Sequence, residues 1–136
     1  MTSATARHVL LDTCVLIAPP ASGLGSVADV VAVSAISVAE LEYGVGAAVD
    51  PVERQRRKRR LQLVVDTFDI LPFDLATAES YGLMANLIRV AGRDPRPRRL
   101  DLLIAATAER NGLGLATRNA EDFRHLARVL DIVEVG

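Results

Sequence analysis

The run from Arg98 to Phe123, RRLDLLIAATAERNGLGLATRNAEDF, constrains the fold more tightly than any other part of the chain. Its charged lead-in is followed by small apolar residues at helical spacing, and Asn111-Gly112 after Arg110 supplies a helix stop. Leu113 to Ala116 is then short and apolar enough for a buried strand. Asp101 stands directly ahead of Leu102, Leu103 and Ile104, where a carboxylate remains ionised only if it is solvated, used as a cap or bound to a cation. Asp122 falls in the loop beyond the strand. A helix, a tight turn and one strand therefore separate two acids, and that connection lets them meet at one strand end.

Upstream, the same alternation recurs. Residues 7–11 read as a strand buried on both faces and ended by Asp12-Thr13, with a short helix over Thr13 to Ile17. A loop rich in Pro and Gly leads to a second strand at Val30 to Ser34, and Ser37-Val38-Ala39-Glu40 has the spacing of a capping box opening a helix. Asp50-Pro51 starts another helix running to about Phe68, with Leu61, Val64, Val65 and Phe68 as its buried stripe. Asp69 to Phe73 reads as a strand, and Asp74 caps a helix from Leu75 to Ala91 with Leu83, Met84, Leu87 and Ile88 inward. The last helix is expected over Asp101 to Arg110 and the last strand near Ile132 to Val135. Strands alternating with helices predict an α/β fold with a central, mainly parallel sheet flanked by helices. At 136 residues the chain suits one domain, residues 1–136, and is too short for two of ordinary size.

The formal net charge of -1 conceals segregation, because basic residues cluster at 54–60 and 93–99 while acids are scattered. Arg54, Arg56, Arg57, Lys58, Arg59 and Arg60 are expected to project into water from the first turns of their helix, as a solvated face or a contact for an acidic partner. The segment Gly92 to Arg99 is expected to be irregular, and Arg96, Arg98 and Arg99 are its phosphate candidates. A lone Cys14 excludes an internal disulfide, and Asp12 interrupts the first apolar run too early for a signal peptide or membrane span, so a reducing cytoplasm is expected.

Asp12, Glu40, Asp101 and Asp122 share one property: each lies at or near an expected helix start after a strand or loop. Each also has a structural reading, Asp12 as a helix cap and Glu40 as the return arm of the capping box. A parallel sheet brings such positions to one edge, and four carboxylates gathered there need a cation to stay ionised together. Hard oxygen donors without a Cys or His cluster favour Mg²⁺ or Mn²⁺ over Zn²⁺.

Four segments, Leu10-Leu11-Asp12-Thr13, Ser37 to Gly44, Asp101 to Ala108 and Thr117 to Phe123, resemble in order the successive motifs of PIN-domain ribonucleases, and most closely the toxins of VapBC toxin-antitoxin pairs. The resemblance implies a PIN-like domain acting as a Mg²⁺- or Mn²⁺-dependent endoribonuclease, restrained by a cognate VapB-type antitoxin and forming a homodimer. It matches Asp12, Glu40 and Asp101 to the first three acidic positions and Asp122 to the fourth, with Asn119 beside it. Thr13 and Thr117 match supporting polar residues, and Arg96, Arg98, Arg99 and Arg118 are candidates to bind RNA phosphates. From such a quartet, water is the expected nucleophile, with Asp12 and Asp101 holding a metal and Glu40 and Asp122 completing the site. Two rivals stand beside this reading. A phosphoaspartyl hydrolase wants a second Asp where Cys14 stands and a lysine near the phosphate, whereas Lys58 lies in the basic helix. A non-catalytic PIN-like module binding RNA or protein has no need of all four acids.

Overall fold

The computed structural model describes residues 7–136. Five strands, β1 (His8–Leu11), β2 (Val30–Ser34), β3 (Asp69–Leu71), β4 (Gly114–Thr117) and β5 (Ile132–Glu134), form one sheet in the order β3-β2-β1-β4-β5. Every pairing is parallel, with Leu11 opposite Val33 on one side and Ala116 on the other. Helices α1 (Thr13–Ile17), α2 (Ala35–Ala47), α3 (Pro51–Thr67), α4 (Leu75–Val90) and α5 (Arg99–Arg110) make the connections, with short 3₁₀ segments at Leu24–Ser26, Arg96–Arg98 and Ala120–Leu126. Among the described residues, no helix is long and apolar enough to cross a membrane.

Alternation along each strand divides the core between the two faces of the sheet. Leu10, Ala32 and Leu115 pack with Met84 and Ile88 of α4 and with Leu102, Ala105 and Ala106 of α5. Val9, Leu11, Val33 and Ala116 pack on the other face with Val15, Leu16, Leu41, Leu61 and Val64, from α1, α2 and α3. The buried alanines of α5 let its backbone lie close to the central strands. From β1 the chain steps outward through β2 to β3, then returns to the opposite side for β4 and β5. The order thus reverses between β1 and β4, and a crevice forms outside the carboxyl ends of the strands at such a point. Asp12 follows β1 directly at this position, and α5, which leads back to the start of β4, has its first turn at the same edge.

Several expected boundaries shift for identifiable reasons. Helix α2 begins at Ala35 rather than at Ser37, because the buried Ser34 at the end of β2 caps it, its Oγ accepting from the Ile36 amide at 3.0 Å. Ser37 therefore lies inside the helix, and the expected capping box with Glu40 does not form. Helix α5 begins at Arg99, two residues before the expected start, so Asp101 occupies its first turn. Asp50 and Asp74 cap α3 and α4 as expected, each accepting a backbone amide three residues on. The assigned stripes were too wide, since Val65 and Leu83 are exposed. Nor do all the basic residues of α3 project into water. The half-buried Arg57 donates to the Gly44 carbonyl at 2.7 Å, and Arg54 donates to the Ala48 carbonyl, tying α3 to the end of α2.

Because Ser34 sets where α2 starts, it also sets where Glu40 projects. Ser34→Ala should cost about 1 kcal/mol, typical of a lost N-cap, and lower Tm by roughly 3–5 °C. An unchanged melting temperature by calorimetry would remove the cap from this account.

Candidate active site

Asp12 is the most constrained acid of the chain. It is only 5% exposed, yet its carboxylate has defined partners. Oδ1 accepts from the Thr13 amide at 2.9 Å as α1 begins, and Oδ2 accepts from the Thr117 hydroxyl at 2.8 Å across the β1–β4 pair. The cap reading of Asp12 is therefore correct, but it occupies one oxygen only. The other is turned toward β4, and the Cys14 thiol lies 3.4 Å from it. Burial pushes the Cys14 thiol up from its ordinary value, and the neighbouring Asp12 charge adds to this.

Thr13 connects this acid to the next. Its hydroxyl donates to Glu40 Oε1 at 2.8 Å and lies 2.8 Å from the Ser37 hydroxyl. Ser37 and Glu40, three apart inside α2, project from the same helix face toward α1. Sequence reasoning missed Ser37 as a site residue because its spacing to Glu40 fits a cap equally well. Burial raises the Glu40 carboxyl above the usual carboxylate range; the Thr13 bond opposes this, while the charges of Asp101 and Asp12 add to it. Asp101 is raised for the same reasons, burial first and the Asp12 charge second, opposed by Arg98, with a smaller contribution from Asp122. Asp12, Glu40 and Asp101 thus feel one another's charge, and Asp122 stands within electrostatic reach of Asp101.

Arg98 links the last two acids. Its Nη2 lies 3.4 Å from Asp101 Oδ2, its Nη1 donates to the Asp122 carbonyl, and its guanidinium sits 4.9 Å from the centroid of the Phe123 ring, which is buried. The Asp122 side chain is exposed, so its approach to Asp101 depends on where the 3₁₀ segment sits. Asn119 donates its amide to Thr117 Oγ1 at 3.1 Å, which fixes the start of that segment beside the same hydroxyl that serves Asp12. A groove of about 530 Å³ runs between Glu40 and Asp101 and is walled by Arg96, Pro97, Arg98, Arg99 and Leu100.

The remaining basic candidates differ in their freedom. Arg96 forks onto Asp94, with Nη2 2.9 Å from Oδ2. Arg99 is exposed on the groove wall. Arg118 has its guanidinium bound to the carbonyls of Ala18 and Gly136, holding the loop after β4 against two other segments. As the side chains stand, no group of three Asp, Glu, His or Cys residues among the described residues surrounds a single point as an ion's ligands would. The donor set nonetheless suits a hard cation in kind: carboxylate and hydroxyl oxygens, with two acids whose ionisation is opposed by the other acids.

The PIN-domain family model matches residues 9–129, which include all four acids. The chain belongs to the PIN-domain family. A ribonuclease, VapC8 of Mycobacterium tuberculosis, is 37% identical over 101 residues, covering 74% of this chain and 89% of the relative. The crystal structure of the VapBC-5 toxin-antitoxin member from the same organism superposes with a TM-score of 0.82 at 32% identity, covering 94% of this chain and 98% of the other. FitAcB from Neisseria gonorrhoeae gives a TM-score of 0.77 at 29% identity, over 93% and 96% of the two chains. The fold and the family implied by the four sequence motifs are thereby borne out. In this PIN domain the crevice beyond β1 and β4 carries the only one of the four acids that is fully buried.

Two measurements follow from this geometry. A carboxyl whose pKa is raised on folding holds its proton more tightly in the folded state, so its charge disfavours the fold at neutral pH and the penalty fades as pH falls to the ordinary carboxylate range. Asp101→Asn should therefore stabilise the metal-free protein at pH 7 by about 0.5 kcal/mol, a small value because the carboxylate is partly solvated. The gain should shrink toward pH 4; a gain that is flat with pH, in melts with EDTA, would count against charge crowding. Arg98→Ala should selectively speed amide hydrogen exchange across residues 120–126, while exchange in β1 stays unchanged.

Proposed function

We propose that this chain is a PIN-domain endoribonuclease toxin that hydrolyses RNA phosphodiester bonds, depends on Mg²⁺ or Mn²⁺, and is restrained by a cognate VapB-type antitoxin. The observation that carries the reading is the buried Asp12 carboxylate, held by Thr13 and Thr117 at the switch point, with Glu40 joined to it through the Thr13 hydroxyl and Asp101 lining one groove with Glu40. Part-buried carboxylates lining one crevice are suited to a divalent cation rather than to a neutral ligand. Asp12, Asp101, Glu40 and Asp122 are the residues that would hold the metal. When bound, the ion supplies positive charge to a phosphoryl oxygen and acidifies an attacking water.

The protein's own groups do the positioning. Thr117 and the Thr13 amide fix Asp12 in one rotamer, and the Thr13 hydroxyl holds Glu40 toward it. Arg98 brings the chain at Asp122 to Asp101. Arg96 and Arg99 face the groove and are suited to RNA phosphates, whereas the carbonyl bonds of Arg118 suit it to holding its loop. The VapBC complexes among the structural relatives support an antitoxin partner, and family membership supports a homodimer and a cytoplasmic site of action. No residue here needs to activate the 2′-hydroxyl of the RNA, so water attack should leave 5′-phosphate and 3′-hydroxyl ends.

Purified protein free of antitoxin should cut a mixed RNA pool with Mg²⁺ or Mn²⁺ and not with EDTA. Asp12→Asn and Asp101→Asn should each lower the rate on the order of 100-fold or more, as expected when one electrostatic element of such a site is removed. Ends carrying 2′,3′-cyclic phosphate would overturn the mechanism. Cleavage that persists in both variants would overturn the site.

A further inference from the structure

A second cavity lies on the other side of Arg98 from the acidic groove. Its volume is about 380 Å³, and it is lined by Ile88, Arg93, Asp94, Pro97, Arg98, Asp122, Arg124 and His125. Three guanidinium groups face two carboxylates there, and one of those, Asp94, is already held by Arg96 outside the cavity. Arg93 makes no salt bridge among the described residues. Arg124 has only Glu121, 3.2 Å away on a side chain 82% exposed, a pairing that water screens heavily. Ile88 and Pro97 give the cavity an apolar wall. His125 completes it, with an Nε2 that is buried and without a hydrogen-bond partner among the described residues.

We infer that this cavity is a nucleotide subsite, which takes the unit of single-stranded RNA next to the scissile phosphate, with Arg93 and Arg124 on its phosphate and the base against Pro97 and Ile88. The inference rests on the nuclease reading above. Three features select RNA as the occupant. The cavity shares Pro97 and Arg98 with the acidic groove and adds Asp122 to its own lining, so the two adjoin and one strand can run from one to the other. A polyanion passing the carboxylates needs positive charge alongside them, and the guanidinium groups of Arg93 and of the weakly paired Arg124 supply it. An apolar wall beside cationic groups matches the two-part character of a nucleotide, and a volume within the usual range of ligand pockets accommodates one. Arg93 opens the basic run 93–99 and Arg124 directly follows the last motif, but only the fold brings Arg93 into one cavity with Asp122 and Arg124.

The test uses the whole protein in EDTA with a fluorescent single-stranded RNA of mixed sequence as the probe. Arg93→Ala with Arg124→Ala should weaken RNA binding about tenfold and lower the salt slope by about 0.7 for each phosphate contact removed. Arg110→Ala, at the far end of α5, should change neither. The chain has two histidines, so the imidazole resonance of His125 should move on RNA addition while that of His8, at the start of β1, stays in place. Equal losses in the Arg110 variant, or a still His125 resonance, would overturn the subsite in favour of diffuse charge attraction. A His125 shift seen with antitoxin and not with RNA would overturn it in favour of a protein ligand. A Mn²⁺-induced rise in Tm, measured on the same variants and on Asp12→Asn, separates the two readings. Loss of that rise in wild type overturns the metal site, whereas its retention with unchanged RNA binding in the double variant overturns the subsite alone.

Discussion

Burial of a carboxylate at the carboxyl edge of the sheet is the constraint on which the rest of this structure depends. Asp12 is almost fully buried, where an unpartnered carboxylate would cost several kcal/mol. The Thr13 amide and the Thr117 hydroxyl offset that cost with two short bonds, one from the element after β1 and one from the neighbouring strand. Burial raises the Glu40 and Asp101 carboxyls above the usual range, opposed by Thr13 and Arg98 respectively, and the neighbouring acids add to the rise. A fold that served stability alone would not keep this arrangement, since neutral residues of similar shape would remove the cost of burying charge.

The sheet order explains why acids from separate connections lie at this edge. Reversal of direction between β1 and β4 opens a crevice, and the surrounding connections contribute Asp12 from the residue before α1, Glu40 from the second turn of α2, and Asp101 and Asp122 from the first turns of α5 and the last 3₁₀ segment. Small hydroxyl residues join these contributions: Thr13 spans α1 and α2, and Thr117 spans β4 and β1. Arg98 does the corresponding work for the 3₁₀ segment, through a carbonyl, a carboxylate and a buried ring. The two cavities on either side of this one side chain share it as a wall, so any movement of Arg98 is felt by both.

The elements themselves were legible in the sequence because their signals are local. Periodicity and turn chemistry located the strand Val30–Ser34 to the residue, and Asp50, Asp74 and the Asn111-Gly112 stop placed helix ends. Errors arose where two local readings compete. Ser37 and Glu40 fit a capping box as well as a helix face, and only the position of Ser34, fully buried at the end of β2, decides between them. Val65 and Leu83 have apolar side chains at helical spacing, but how wide a stripe is covered depends on the neighbouring element and not on the helix. The basic run of α3 divides between solvent and the α2 carbonyls for the same reason.

By itself, the sequence determined the α/β alternation, the four acids and the family, because residue type and spacing along the chain specify strands, caps and motifs. Tertiary structure alone decided which oxygen of Asp12 meets Thr117, that Ser37 faces Thr13, that Arg118 is engaged by backbone carbonyls, and that Arg93 lines one cavity with Asp122. Each of those contacts joins residues from separate elements, and their distance is set by how helices seat on a twisted sheet, which no local pattern encodes.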